Sequence, residues 1–193
     1  MGAVEMLARA SGEFDRRLRD IAVPLDATTP CEGWTVRDLL QHVIVGNRIA
    51  VVMLEGRSRD EIVLARQELL EEDQIGDDPA AAFATSGAAQ VSAFSAPGAL
   101  GRTIHHHVFD TMPARQLVTF RICDLTLHTW DLARATGRDE VINDGLVDWV
   151  YAAMEPSAST IGSNGMFGKG PSGTLADDAP LQQRLLDLSG RRP

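Results

Sequence analysis

The longest helical pattern in the chain covers residues 113–136 and constrains the fold more than any other segment. On a helical wheel, at about 100° per residue, its apolar side chains form two flanks. The sector opposite is predicted to face solvent and holds Arg115, Thr119, Thr126, Thr129 and Ala133. Pro113 suits a first helical turn and Gly137 an end, so one continuous helix with a buried side is predicted.

Polar side chains occupy the centre of that buried side, between the two apolar flanks: Arg121, Asp124, His128 and Asp131. Buried charge is costly unless it is paired, hydrogen-bonded or bound to a metal ion. Asp124 and His128 are four residues apart, so they stack on one face, a spacing by which one helix supplies two metal ligands. Alternatively, the four groups satisfy one another in a structural network, with Arg121 pairing with Asp124.

His42 is the candidate for a third metal ligand. It lies within a second predicted helix, just off the apolar stripe of Leu39 and Val43. Gly46 follows one turn later and removes a side chain that would obstruct close approach to the site. A core histidine with no ligand role fits the same pattern, and spacing alone leaves both interpretations open.

Helices are predicted along most of the remaining chain, over residues 4–19, 36–54, 79–95, 141–160 and 180–188. Thr35 and Asp38 have the spacing of a capping box at the start of the second of these helices. Residues 102–109 form the one extended piece, predicted as an arm of a small hairpin. Helices joined by modest connectors predict an all-α antiparallel bundle with an extra short helix. We expect a single domain over residues 1–193, with an irregular tail from about residue 161.

The charge of the chain argues against two classes of partner. A formal net charge of -9 and a pI near 4.9 repel nucleic acid and anionic lipid, and no basic patch offsets them. The first residues lack a signal-peptide pattern, and no run of about 18 apolar residues occurs. We therefore expect a cytoplasmic protein that binds neither nucleic acid nor membrane.

Two cysteines and a histidine run complete the candidate residues. Cys31 and Cys123 lie far apart, show no CxxC spacing and have no base nearby in sequence, so both are expected to be free thiols. Cys123 falls on an apolar flank, which predicts core packing. His105, His106 and His107 are predicted as exposed loop histidines, or as a loose metal-binding pair whose middle member points away.

Three segments carry a family resemblance: CEGWTVRDLLQH at residues 31–42, DLTLHTWDLARATG at 124–137 and APLQQRLL at 179–186. With them the chain resembles actinobacterial metal-binding proteins related to the N-terminal domain of mycothiol-dependent maleylpyruvate isomerase, among the DinB-like bundles. The resemblance implies a four-helix core in up-down-down-up order. Since members of the family are often dimeric, it also implies a possible homodimer. It also implies a divalent metal ion held by His42, Asp124 and His128.

The chain departs from the isomerase in two ways. The isomerase has a glutamate where this chain has Asp124, which is shorter by one methylene group. It also has a second, C-terminal domain that contributes to its active site, for which 193 residues leave no room. Isomerisation of maleylpyruvate is therefore not transferred to this chain.

The function that we expect is thiol chemistry at a metal ion. Three protein ligands leave zinc, or another ion such as nickel, an open position where a small thiol of the mycothiol type binds and ionises. The thiolate would then attack a small electrophile in a transferase or isomerase reaction. Arg121 would steer an anionic substrate or thiol, and Asp131 would either orient His128 or face a neighbouring helix. A non-catalytic, metal-stabilised or purely structural helical domain is the alternative.

Overall fold

The computed structural model describes residues 1–19, 24–161, 169–176 and 178–192, so part of the predicted irregular tail lies outside the described residues. The helices in these ranges are α1 (Ala3–Leu18), α2 (Val36–Leu54), α3 (Arg59–Glu71), α4 (Pro79–Ser95), α5 (Ala114–Thr136), α6 (Asp144–Met154) and α7 (Leu181–Leu188). A hairpin of β1 (Thr103–His105) and β2 (Thr111–Pro113) precedes α5. The chain divides into two compact units, Met1–Glu140 and Val141–Pro193. The predicted all-α class is confirmed.

Four helices form the core of the first unit. Helices α1 and α2 each pack against both α4 and α5, while α3 packs against α2. Arg17, near the end of α1, donates from Nε to the backbone oxygen of Asp139, just beyond α5, so α1 and α5 run parallel. Phe14, also late in α1, contacts Phe83, early in α4, so these two helices run antiparallel.

Helices α2 and α5 are antiparallel, because His42 contacts Asp124 while Asn47, later in α2, contacts Arg121, earlier in α5. Helices α1 and α5 therefore point one way, and α2 and α4 point the other way. The order along the chain is therefore up-down-down-up, as the family resemblance implies.

Local sequence signals explain where the two helices of the site begin and end. The hydroxyl of Thr35 accepts a hydrogen bond from the backbone N–H of Asp38 at 3.2 Å, and Asp38 Oδ2 accepts one from the N–H of Thr35 at 2.8 Å. The predicted capping box thus starts α2. Gly137 ends α5 with a φ of 64°, a left-handed conformation that suits glycine.

Helix α3 was not predicted from the sequence. Its start has a capping box of Ser58 and Glu61, but Ile62 is its one buried side chain, so the segment lacks the apolar periodicity of a packed helix. The helix predicted over residues 141–160 is too long at both ends. Asn143 precedes the first turn of α6, and Pro156 lies in a 3₁₀ helix (Glu155–Ser157) because proline cannot donate a helical hydrogen bond.

The predicted solvent face of α5 is wrong over its second half. Thr126, Thr129 and Ala133 are at most 1% exposed, whereas Arg115 is exposed as predicted. Helix α5 packs against both α1 and α2, so this part of its surface is covered instead of facing solvent. The hydroxyl of Thr129 donates to the backbone oxygen of Leu125 at 2.7 Å, which allows a threonine to be buried without an external partner.

The hairpin confirms the extended segment expected before α5. Ile104 pairs with Met112 in antiparallel register, and both side chains are buried. Within the second unit, α6 packs against α7, and Arg184 donates to the hydroxyl of Tyr151 at 2.6 Å. The short helix expected over residues 180–188 is confirmed as α7. Among the described residues, no helix combines the length and the apolar character needed to cross a bilayer.

The aromatic contact between α1 and α4 predicts one stability effect. The rings of Phe14 and Phe83 lie 4.6 Å apart and are at most 1% exposed. We expect Phe83→Ala to lower the free energy of unfolding by about 3–5 kcal/mol, because it removes buried apolar area and leaves a cavity. Leu64→Ala, at a side chain 56% exposed, is the control and should change it by less than about 0.5 kcal/mol. Denaturant unfolding followed by circular dichroism measures both, and equal losses would contradict the assignment.

Candidate metal centre

The three side chains predicted as metal ligands meet at one point between α2 and α5. His42 Nε2 lies 3.0 Å from Asp124 Oδ1, and His128 Nε2 lies 3.4 Å from the same oxygen. One donor atom from each of the three residues lies within 4.8 Å of the others. Two imidazole nitrogens and a carboxylate oxygen therefore converge from two helices, at the three positions that the family resemblance indicates.

Arg121 fixes the second oxygen of Asp124. Its Nη1 donates to Asp124 Oδ2 at 2.7 Å, its Nε to Gln90 Oε1 at 2.9 Å and its Nη2 to Asn47 Oδ1 at 2.9 Å. Along α2, Asn47 comes after His42, whereas along α5 Arg121 comes before Asp124, which makes the two helices antiparallel. Arg121 is 7% exposed, and its donors point at protein acceptors. It thus acts on the site through Asp124.

Gly46 makes room for this guanidinium. A Cβ at position 46 would lie 2.8 Å from Arg121 Cζ and 3.0 Å from Arg121 Nη2, closer than real Cβ contacts. Close approach at Gly46 was expected from the sequence, which did not indicate the partner. The group that approaches is the arginine that holds Asp124, rather than the metal site itself.

Asp131 and Cys31 lie at the other edge of the His128 ring. Asp131 Oδ2 is 2.9 Å from His128 Nδ1, and because a carboxylate only accepts, the ring carries its proton on Nδ1. Asp131 therefore orients His128, as expected. Cys31 Sγ lies 3.3 Å from the same Oδ2 and 4.0 Å from His128 Nδ1. No base lies near Cys31 in sequence, as stated above, but the fold brings Asp131, about 100 residues away in the chain, to its sulfur.

Trp34 covers the two imidazoles. Its ring is stacked on that of His128, with centroids 5.8 Å apart and planes inclined by 19°, and its centroid is 5.0 Å from that of His42. The tryptophan comes one residue before the N-cap of α2, so the turn that starts the helix also places the ring. Sequence reasoning named Trp34 only as part of the resembling segment 31–42.

Neighbouring charges favour the ionised forms of Asp124 and His128, the two candidate ligands on α5. Burial raises the pKa of Asp124, but the charges of His42, Arg121 and His128 outweigh burial and hold that pKa well below its usual range. Burial lowers the pKa of His128, but the charge of Asp124 and the hydrogen bonds of the ring raise it well above 6.5. The stabilising effect of the His128 charge is full below pH 6.5 and is lost as pH rises through the raised pKa. That of Asp124 is full above pH 3.8 and is lost as pH falls through its lowered pKa.

The histidine run of the hairpin lies apart from these ligands. His105 is exposed as predicted, but His106 is 5% exposed, and its Nδ1 accepts hydrogen bonds from the N–H groups of Val108 and Phe109. Its ring stacks on that of His107 at 4.2 Å. Burial, together with nearby positive charge, lowers the pKa of both to about 4. The prediction of three exposed loop histidines is therefore wrong for His106, which shapes the turn of the hairpin.

Comparison with known proteins gives one family and two close relatives. Residues 7–133 match the family described as the mycothiol maleylpyruvate isomerase N-terminal domain. Two uncharacterized proteins of Mycobacterium tuberculosis, from strains CDC 1551 and H37Rv, are each 29% identical over 178 residues. The alignment covers 89% of this chain and 85% of each relative. No solved structure gives a significant match.

The close approach at Gly46 predicts a second stability effect. We expect Gly46→Ala to lower the free energy of unfolding by about 1–3 kcal/mol, because the methyl group displaces the buried Arg121 guanidinium from its acceptors. Gly12→Ala in α1 is the matched control, since a Cβ there meets nothing within 4 Å. It should raise stability by about 1 kcal/mol through helix propensity. Stabilisation of the protein by Gly46→Ala in the same unfolding assay would contradict this account.

The charge of Asp124 predicts how His128 titrates in metal-free protein. Proton–nitrogen NMR across a pH series should give His128 a midpoint above 6.5, because ionised Asp124 stabilises the imidazolium. Asp124→Asn keeps the shape but removes the charge, so the midpoint should fall. His106 is the internal control, with a midpoint near 4 in both proteins. A His128 midpoint that does not respond to Asp124→Asn would be incompatible with the charge coupling described above.

Proposed function

The chain belongs to the family of the mycothiol maleylpyruvate isomerase N-terminal domain, and we propose that it binds one divalent metal ion and uses it to activate a small thiol. The ligands are His42 Nε2, Asp124 Oδ1 and His128 Nε2. One observation carries the proposal, which is the convergence of these three atoms within 4.8 Å from two different helices.

The chemistry of the donor set fits such an ion. Two imidazole nitrogens with one carboxylate oxygen form a ligand set used by catalytic zinc, and the same ligand types also suit nickel or ferrous iron. Two of the three ligands, Asp124 and His128, are held by a protein group on the far side. Arg121 occupies Asp124 Oδ2, and Asp131 occupies the Nδ1–H of His128, so the remaining lone pairs point towards one place.

The exposure of the ligands supports an approach of the thiol from one side. The side chain of His42 is 40% exposed, whereas those of His128 and Arg121 are 10% and 9% exposed. The open side of the site therefore faces solvent near His42 and Trp34. A thiol entering there would meet the ligand cluster before it reached the buried arginine.

The chain's own residues prepare the site, and the ion would supply acidity. A divalent ion acts as a Lewis acid that lowers the pKa of a thiol, so that the thiolate can attack an electrophile at neutral pH. Trp34 offers an apolar wall beside the two imidazoles. We propose a low-molecular-weight thiol of the mycothiol type and a small electrophile as the substrates, in a transferase or isomerase reaction.

A non-catalytic role for the ion is the second candidate. It is favoured by Arg121, the residue proposed from sequence to steer an anionic substrate, because its donors are engaged by Asp124, Asn47 and Gln90. In that case the ion would tie α2 to α5 and stabilise the bundle, with no thiol turned over.

Metal binding is tested with His42→Ala. Calorimetry with zinc should give one ion per wild-type chain, and loss of this ligand should weaken the affinity by at least about 100-fold, more than loss of an outer partner costs. His105→Ala, at an exposed histidine of β1, is the matched control and should bind as wild type does. Equal zinc affinity in wild type and His42→Ala would refute the ligand assignment.

Consumption of mycothiol with a test electrophile then separates the two candidates. Metal-dependent turnover that His42→Ala abolishes supports thiol activation. A chelator-sensitive melting temperature without turnover supports the structural role instead.

A further inference from the structure

A second group of donor atoms lies on the opposite edge of the His128 ring. It consists of Cys31 Sγ, His128 Nδ1 and Asp131 Oδ2. The sulfur is 4.0 Å from the nitrogen and 3.3 Å from the oxygen, and the nitrogen and oxygen are 2.9 Å apart. The first group uses Nε2 of the same ring, so His128 stands between two sets of candidate ligands.

The size of this triangle is close to that of three ligands around a four-coordinate divalent ion, with zinc as the reference. Around a tetrahedral ion with bonds of about 2.3 Å to sulfur and about 2.0 Å to nitrogen or oxygen, the donor atoms lie about 3.3–3.6 Å apart. The three separations here scatter about that range by a few tenths of an ångström. The contacts of the first group, 3.0 and 3.4 Å, are of the same size.

The donor types set the chemistry of the ion. A thiolate is a soft ligand that favours thiophilic cations, and imidazole and carboxylate complete a set known for zinc. Asp131 is fully buried, so its charge would be weakly screened and would favour a cation beside it. The harder set of His42 and Asp124 has no sulfur.

The two cysteines of the chain differ in burial. Cys31 lies in the segment before α2 and is partly exposed. The other cysteine of the chain, Cys123, is buried, and burial raises its pKa to about 12, which makes it a poor competitor for metal.

We propose that Cys31, His128 and Asp131 form a second cation site, selective for thiophilic divalent ions such as cadmium, that competes with the first site for His128. The competition follows from the ring, because a neutral imidazole has one lone pair. With an ion on Nδ1, the Nδ1 proton and the thiol proton would both pass to solvent, and the ring would keep a proton on Nε2 that it donates towards Asp124. With an ion on Nε2, the proton would stay on Nδ1, and Asp131 would accept a hydrogen bond from the Nδ1–H group. The competition rests on the proposed function, whereas the cysteine site does not.

Cadmium binding tests the site, since cadmium–thiolate bonds give a charge-transfer absorption in the ultraviolet. Wild type should bind one cadmium ion with this absorption, and Cys123→Ala should do the same. Cys31→Ser should lose the absorption and bind cadmium more than about tenfold more weakly. Cadmium binding by wild type without the absorption, or an absorption that Cys123→Ala removes, would overturn the proposal. The wild-type spectrum decides even if Cys31→Ser fails to fold.

His42→Ala separates this proposal from the proposed function. It should lose zinc affinity but keep cadmium and its thiolate absorption, because His42 is no part of the second group. Saturating zinc should weaken apparent cadmium affinity in wild type and not in His42→Ala. Loss of the cadmium absorption in His42→Ala would show that thiolate coordination depends on His42, and it would overturn the inference of a separate cysteine site. Simultaneous binding of zinc and cadmium without mutual weakening would overturn the competition.

Discussion

The contacts of the Asp124 carboxylate determine how the helices of the first unit pack. Its two oxygens contact His42 of α2, His128 of its own helix and Arg121, which lies one turn earlier in that helix. Arg121 in turn reaches Asn47 on α2 and Gln90 on α4, so one ion pair ties three of the four core helices together. Breaking a buried pair on one side costs about 3–5 kcal/mol, because the remaining charge is left without a partner. The register between α2 and α5 is therefore fixed by charge as well as by shape.

This register needs a short carboxylate and a missing side chain at the same level of the bundle. The resemblance to the isomerase implies a glutamate at the position of Asp124, which would reach one methylene further. Here the guanidinium of Arg121 lies against the backbone of α2 because Gly46 leaves that space empty. The arginine then holds Asp124 from the α2 side, and Oδ1 of the shorter side chain still lies 3.0 Å from His42.

Sequence patterns predicted the parts of this arrangement that depend on one helix. The spacing of Asp124 and His128 puts them on one face of α5 whatever packs around it, and the capping box of Thr35 and Asp38 starts α2 through local hydrogen bonds. The convergence of His42 on that face depends on the packing of two helices, and it was expected from a family resemblance rather than from periodicity.

Other features were not predicted from the sequence, because they depend on groups that are distant in sequence or on segments with little apolar periodicity. The contact of Cys31 with Asp131 joins two elements about 100 residues apart, which no spacing rule connects. The helical wheel did not predict the burial of Thr129, because it counts threonine as polar. In the fold the hydroxyl donates a hydrogen bond within its own helix and so needs no solvent. Helix α3 escaped because Ile62 is the one side chain that it buries.

Charge balance links the fold to the proposed chemistry. With a divalent ion bound, His42 and His128 would both be unprotonated at Nε2, while Arg121 stays cationic and Asp124 and Asp131 stay anionic. The ion and these five groups would then carry one excess positive charge. In a partly buried site that excess is costly until an anion neutralises it. A thiolate entering beside His42 carries that single negative charge, whereas a neutral ligand would leave the excess in place. The same buried network that fixes the helices would thus favour an anionic sulfur at the open position of the ion.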